Sequence, residues 1–345
     1  MKFIMEQLFQ TNNMIAEVIV DIINSNVDKI FDYILPSNSF KVGQRVLVPF
    51  SNREVEGYIL KIKDSSSYDS SKLKSVKKSL DDFCYLNEET LNLMTFLINQ
   101  YNLRYSDCIR LFVPTSVRKN LKEKFLKYVK VKDNIDVNNI KLTQKQIDIL
   151  NYLHFNTISV SELKKLFSIN IINTLIKKQV LEEVLIKENR TPYSFKTESN
   201  NIKLTQEQQN AVNTILTAAN NKFLLFGVTA SGKTEVYIKV IENVIKQNKS
   251  AILLVPEIGL TPQLFKRFTS VFKNVAIIHS GLSDGEKLDE WLKIKRGEAK
   301  VVIGARSAVF APIENLGVII IDEEHDGSYY SENNPRYNAI EVAEE

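Results

Sequence analysis

The sequence predicts a multidomain protein: a small, β-barrel-like N-terminal domain (12–110), a basic connector (111–139), a winged helix (140–195) and an α/β P-loop lobe (202–345). Three observations carry this. Short β-rich runs separated by turn residues fill the first part of the chain. Three helical stretches and a strand pair follow the connector. Five apolar, β-branched runs then alternate with helical ones, as in a parallel sheet covered by helices.

In the first region "IAEVIVDI" (15–22), "QRVLVPF" (44–50) and "VEGYILKIK" (55–63) read as strands, with turn chemistry at "LPSNS" and "FSNRE". "EETLNLMTFLINQY" (88–101) reads as a helix with Leu91, Met94, Leu97 and Ile98 on one face. The stretch 118–132, "RKNLKEKFLKYVKVK", is the densest basic cluster; it reads as a solvated connector or helix face in preference to a DNA-phosphate contact. In the second region Thr143 is placed to cap a helix through Ile147, Leu150 and Leu153, and Ser161 to cap one carrying Leu163 and Leu166. Leu175 and Ile176 lie on a third helix, which turns into a strand pair; His154 is expected to be exposed and inert. A winged helix binds DNA or serves as a protein-contact module, so that fold alone decides nothing. A polar linker is expected over 187–201.

Composition agrees with a soluble globular chain: 345 residues, 44% hydrophobic, 25% charged, net charge only +4. Cys84 and Cys108 lack metal-ligand spacing and read as buried thiols in a reducing compartment. No 18-residue apolar run and no signal-peptide core occur, so a cytoplasmic protein without a membrane partner is expected.

The third region carries the chemistry. Gly227, Val228, Thr229, Ala230, Ser231, Gly232, Lys233 and Thr234 satisfy G-x-x-x-x-G-K-[ST], between the expected strand "KFLLF" and the helix "EVYIKV". Glycines let backbone N–H groups converge on phosphates at a helix N-terminus. Lys233 is suited to the β- and γ-phosphates of ATP, and the Thr234 hydroxyl to Mg²⁺. The apolar run "GVIII" ends at Asp322, a second Mg²⁺ ligand at the sheet's C-terminal edge, and Glu323 is placed to orient or deprotonate the attacking water. His325 gains weight only as part of D-E-E-H, as a link between nucleotide and polynucleotide sites; His279 reads as structural.

A P-loop with D-E-x-H marks a superfamily-2 helicase or translocase. "LVPEIGLTPQLFKRF" (254–268), "HSGLSDGEKLDEW" (279–291), "GARSAVFAPIENLG" (304–317) and "DEEHDGSYYSENNPRYNAIEVA" (322–343) closely resemble the bacterial primosomal protein N′ family of replication-restart helicases. "LTQEQQNAV" (204–212) is similar to that family's entry into its RecA-like helicase lobe, which implies an adenine contact by Gln208 near Thr205. "DKIFDYILP" (28–36) and "VGQRVLVPFSNREVEGYI" (42–59) resemble the family's domain for the 3′ end of a nascent strand. On its own the first of these reads as an edge strand with a core Phe. The resemblance implies a pocket for the terminal nucleotide formed by Phe31, Asp32 and Tyr33, where an aromatic can stack on a base and a carboxylate accept a hydrogen bond. It also implies DNA contacts at Arg306 and Ser307, catalytic roles for Lys233, Asp322, Glu323 and His325, and a 3′→5′ DNA helicase driven by ATP and Mg²⁺. The implied partners are forked DNA with a 3′ end, single-stranded DNA-binding protein and primosome proteins.

There are departures. Ala230 and Ser51 stand where the family usually has Gly. The family's two zinc sites, its strand with a Ser-Ala-Thr motif and its second lobe with the arginine finger have no counterpart in these residues. The α/β lobe is therefore expected to be incomplete after D-E-E-H, lacking the strand between the P-loop strand and "GVIIID". Two readings follow: the front half of an ATP-driven motor, or a fork-binding module without ATPase activity. A restriction-enzyme motor is a third, disfavoured by "FDYILP" and the winged helix.

Overall fold

The structure is a computed structural model describing residues 14–345 apart from 23–27, 120, 134, 136–139, 155, 189, 191–201, 220, 229–230 and 258–260. It divides into two compact units, one formed by the chain up to 120 together with 192–345, the other by 121–191.

In the first unit β1 (Ile15–Val20), β2 (Ile30–Ile34), β3 (Gln44–Phe50), β4 (Arg53–Lys63) and β5 (Lys78–Cys84) form an antiparallel sheet in the order β2-β1-β4-β3-β5. Alternate side chains make its apolar side, with Ala16, Val18, Tyr33, Val46, Val48 and Ile59 buried together. β2 is an edge strand; Ile34 bridges Ser75 just before β5, so the two edges meet at a bridge and not along a ladder. β3 and β4 join through the two-residue loop Ser51–Asn52, and Ser51 has φ +52°. Helices α1 (Glu88–Tyr101), α2 (Tyr105–Phe112) and α3 (Thr115–Arg118) follow. Asn87 and Thr90 form a capping box at the start of α1, which buries Met94 and Leu97 as the spacing predicts.

The second unit contains β6 (Phe125–Val131), α4 (Gln144–Leu153), β7 (Ile158–Ser159), α5 (Val160–Leu166), α6 (Ile169–Lys177) and β8 (Leu181–Lys187). Its antiparallel sheet runs β7-β6-β8, with Val129, Ile149, Leu153, Leu163, Ile172 and Leu175 in the core. Thr143 caps α4 in a capping box with Gln146. Two expectations are corrected. Ser159, not Ser161, caps α5, and Leu166 is exposed. The basic connector is not a connector throughout: β6 lies within it and is the partner of β8. Its lysines face acids, Lys127 at 3.3 Å from Glu183, Lys130 at 2.9 Å from Glu182 and Lys124 at 2.7 Å from Glu188. A charge run in sequence is thus a set of ion pairs in space.

The first unit resumes with α7 (Gln206–Thr217), α8 (Lys233–Lys246), β9 (Ser250–Leu254), α9 (Pro262–Val271), β10 (Val275–Ile278), α10 (Asp284–Lys295), β11 (Val301–Gly304), β12 (Leu316–Ile321) and α11 (Ala339–Glu344). The four strands form a parallel sheet in the order β10-β11-β9-β12. Four of the five expected strands are present. The fifth, "KFLLFGV", is not: 222–228 forms no ladder, and Leu224 and Phe226 are 83% and 91% exposed. Only Leu225 of this run packs against the lobe's cores. β12 has β9 on one side and no strand of the described residues on the other. An isolated extended segment has no ladder to satisfy its backbone, so apolar β-branched sequence alone does not make a strand.

The N-terminal sheet and the α/β lobe, which read as separate domains in sequence, share one core. Tyr85 stacks on Trp291 at 5.5 Å, the Trp291 Nε1–H donates to the Phe112 carbonyl at 3.3 Å, and the Tyr101 hydroxyl donates to Glu341.

Candidate nucleotide and nucleic-acid site

α8 begins at Gly232, which has φ +81°. The left-handed backbone favours glycine, and a Cβ there would sit 2.4 Å from Gln208 Nε2, so any side chain would also push the Gln208 amide aside. Gln208 is held at both ends: its Oε1 accepts from Thr205 N–H at 2.9 Å, and its Nε2 donates to the Ser231 carbonyl at 3.0 Å. This ties α7 to the P-loop. The Ser231 N–H donates to the Val228 carbonyl at 3.1 Å, and Thr234 is half-buried in the first turn of α8. Thr229 and Ala230 lie outside the described residues.

The Lys233 ammonium lies 3.0 Å from Glu323 Oε1 and also donates to the Gly227 carbonyl at 3.2 Å. Asp322 follows β12 directly, and its N–H donates to the Leu254 carbonyl at 2.9 Å, extending the β9 pairing by one residue. Its Oδ1 accepts from the Tyr237 hydroxyl at 2.9 Å. Glu323 has φ +47°, a conformation uncommon for a side-chain-bearing residue. The left-handed turn reverses the chain so that the Asp326 N–H donates to the Glu323 carbonyl at 2.9 Å. The Tyr329 hydroxyl donates to the carbonyls of Asp322 and Leu254. Sequence reasoning missed this tyrosine pair. Tyr237 was legible only as a buried helix position, and no local signal marked Tyr329.

Lys233, Asp322 and Glu323 are therefore brought together, with Thr234 next to Lys233 in the chain. His325 is mostly exposed, with Nε2 3.9 Å from Glu323 Oε2. The Arg306 guanidinium donates to the carbonyls of Ser328 and Tyr330, both at 3.1 Å, and so ties β11 to the turn after D-E-E-H. Ser307 is exposed and lines a cavity of ≈240 Å³ with His279, Lys287 and Trp291. His279 is half-buried, and desolvation lowers its pKa; its Nδ1 accepts from the Gly281 N–H at 3.1 Å, which needs the neutral ring. Cys84 and Cys108 are free thiols, and burial pushes Cys108 up to about 12.

The donor set fits a nucleotide with Mg²⁺. A hydroxyl and a carboxylate are hard oxygen donors, and Mg²⁺ ordinarily takes one or two carboxylates plus substrate phosphates. No group of three metal-ligating side chains occurs among the described residues.

Phe31, Asp32 and Tyr33 do not converge. They alternate along β2, which puts Phe31 and Tyr33 on the apolar side and Asp32 on the other. Phe31 meets Phe50 edge-on at 5.1 Å, with the Lys29 ammonium 5.5 Å from its ring. Tyr33 is buried, donates to the Pro49 carbonyl at 3.2 Å and is pushed up to about 12 by burial. Asp32 is paired with Lys63 at 2.9 Å and accepts from Ser66, and Lys63 also reaches Glu17 at 2.8 Å.

Fold and site together define a parallel α/β lobe with a P-loop-type turn and an acidic strand end, packed on an N-terminal antiparallel sheet. Residues 17–114 match the family described as 3′DNA-binding domain (3′BD), and residues 201–344 match Type III restriction enzyme, res subunit. Replication restart protein PriA of Bacillus subtilis is 37% identical over 95% of this chain and 51% of the relative. PriA of Haemophilus influenzae is 33% identical over 91% and 45%, and PriA of Chlamydia trachomatis 34% identical over 98% and 48%. Along almost its whole length the chain matches the N-terminal region of replication restart protein PriA. It spans about half the length of the curated relatives it matches. No helix among the described residues is long and apolar enough to cross a membrane.

Proposed function

We propose that these residues form the nucleotide-binding front half of an ATP-dependent 3′→5′ DNA helicase of replication restart, joined to a domain that grips a 3′ DNA end. The observation that carries this reading is the 3.0 Å approach of Lys233 to Glu323, 90 positions apart in the chain and each the chemically active member of its motif. Bound ATP would displace Glu323 from Lys233. Lys233 would then hold the phosphates, Thr234 and Asp322 the Mg²⁺, and Glu323 would be released to orient water. Bound Mg²⁺ would supply charge neutralisation across the phosphates. Gln208, already fixed beside the P-loop, is suited to the adenine edge, and Gly227 to Thr234 to the phosphates. His325, Arg306 and Ser307 would face the polynucleotide. In the N-terminal domain Phe31 is the group suited to base stacking. Asp32 would have to exchange Lys63 or Ser66 for a terminal nucleotide. Residues 140–195 are read as a winged helix. Forked DNA is the proposed substrate, and single-stranded DNA-binding protein and primosome proteins are the proposed partners.

The exposed 222–228 segment and the open edge of β12 favour a second reading, in which these residues alone bind forked DNA without turning over ATP. ATP hydrolysis by the 345-residue chain, with and without forked DNA, separates the two. DNA-stimulated turnover above about 1 s⁻¹, the low end for ordinary enzymes, supports the motor reading. Nucleotide binding without turnover supports the second reading. Failure to bind either ATP or 3′-ended DNA refutes both.

A further inference from the structure

We infer that Tyr237 is a positioning residue for the Asp322 carboxylate, so that two successive turns of α8 set both halves of the nucleotide site. The inference rests on the nucleotide-site reading above and deepens it. Lys233 and Tyr237 are four residues apart and therefore stack on one face of the helix. Each takes one member of an adjacent carboxylate pair: Lys233 Nζ lies 3.0 Å from Glu323 Oε1, and the Tyr237 hydroxyl 2.9 Å from Asp322 Oδ1. No other hydrogen bond or ion pair to the Asp322 carboxylate occurs among the described residues.

The arrangement is rigid at both ends. The Tyr237 ring is buried with Ile241, Leu253 and Val255, so packing fixes where its hydroxyl can be. The Asp322 backbone is fixed by the Leu254 pairing and by the Tyr329 hydroxyl. A phenylalanine would fill the same core. A hydroxyl buried without a partner is costly, so its presence makes sense through the bond it makes. With one carboxylate in its shell, a Mg²⁺ has little else in the protein to fix its place. Donors that orient a metal ligand from behind cost about 10–100-fold in metal affinity when removed.

The test is Tyr237→Phe in the 345-residue chain, read by the binding of a fluorescent ATP analogue as Mg²⁺ is titrated, with binding in EDTA and thermal melting measured alongside. The expected result is a Mg²⁺ midpoint about tenfold higher, with unchanged binding in EDTA and an unchanged fold. In an Asp322→Asn background, Tyr237→Phe is expected to shift the midpoint no further. The inference is overturned by an unchanged midpoint, by an equal loss with and without Mg²⁺, or by a full additional shift in Asp322→Asn. Wild-type binding that ignores Mg²⁺, or no nucleotide binding at all, overturns the nucleotide-site reading itself and the inference with it.

Discussion

Glu323→Gln separates two roles of one side chain. Glu323 neutralises Lys233 at 3.0 Å, and the two side chains are 42% and 20% exposed. An ion pair this accessible to water contributes about 0.5–1 kcal/mol. On the nucleotide-site reading proposed above, a phosphate must displace it before Lys233 can act. Glutamine removes the charge and leaves the shape, so ATP is expected to bind equally well or up to about fivefold tighter, the ratio that 1 kcal/mol supplies. Hydrolysis should be lost, because the amide cannot take a proton from water. Lys233→Ala acts oppositely on binding. It deletes a charge-assisted contact worth about 1.5–3 kcal/mol, so affinity should fall at least tenfold. The gain in Glu323→Gln operates through Lys233 and should vanish in a Lys233→Ala background. It should also shrink at high salt, where exposed pairs are screened. Equilibrium titration of a fluorescent ATP analogue with Mg²⁺ measures all four proteins. The reasoning fails if Glu323→Gln weakens binding tenfold, or if its gain persists without Lys233.

Other outcomes follow from single residues. Ser51 opens a two-residue hairpin loop at φ +52°, where a side chain costs roughly 1–2 kcal/mol. After the backbone entropy of glycine, Ser51→Gly should stabilise the chain by about 0.5–1 kcal/mol, read as a rise in denaturation midpoint; an unchanged or lower midpoint counts against strain. Among the described residues β12 has one strand neighbour and β3 two, so hydrogen exchange should be faster in 316–321 than in 44–50; equal protection would mean the open edge is covered in solution. Desolvation lowers the His279 pKa below its ordinary 6.5, so the folded chain binds fewer protons there than the unfolded one. Its contribution is present above pH 6.5 and is lost as pH falls below that value, and His279→Gln should flatten the slope of stability in that window. Asp32→Ala should reduce discrimination between 3′-hydroxyl and 3′-phosphate DNA ends while sparing general DNA affinity, and retained discrimination removes Asp32 from the 3′-end reading.

Much of this site was legible because its signals are local. A turn into a helix with Gly232, Lys233 and Thr234 needs only its own backbone to set Lys233 and Thr234 side by side in the first helical turn. An apolar run ending in Asp322 needs only a parallel sheet to bring that carboxylate to the same edge. What sequence reading missed is set by distant partners. β6 alternates lysines with apolar residues, and its acids sit on β8, more than 50 positions away in the Lys127–Glu183 pair. The Phe31-Asp32-Tyr33 triplet reads as one cluster until strand alternation sends its carboxylate to the opposite face.

"KFLLFGV" and "LGVIIID" show the same dependence from the other side. Both runs have strand composition, yet β9 gives 316–321 a ladder and no strand of the described residues gives one to 222–228. The P-loop is anchored instead through Leu225, through Gln208 on Ser231 and through Lys233 on Glu323. Two of these three ties are polar contacts at partly exposed groups, each worth about 1 kcal/mol or less. A strand paired on both sides would replace them with several ladder bonds and would bury Leu224 and Phe226. The turn is therefore held mainly by side-chain contacts, of which the Lys233–Glu323 pair is the one that the proposed ATP binding would break. Any strand that fills the gap beside β12 should stiffen the P-loop and β12 together, coupling Lys233 to Asp322 through backbone as well as through Tyr237.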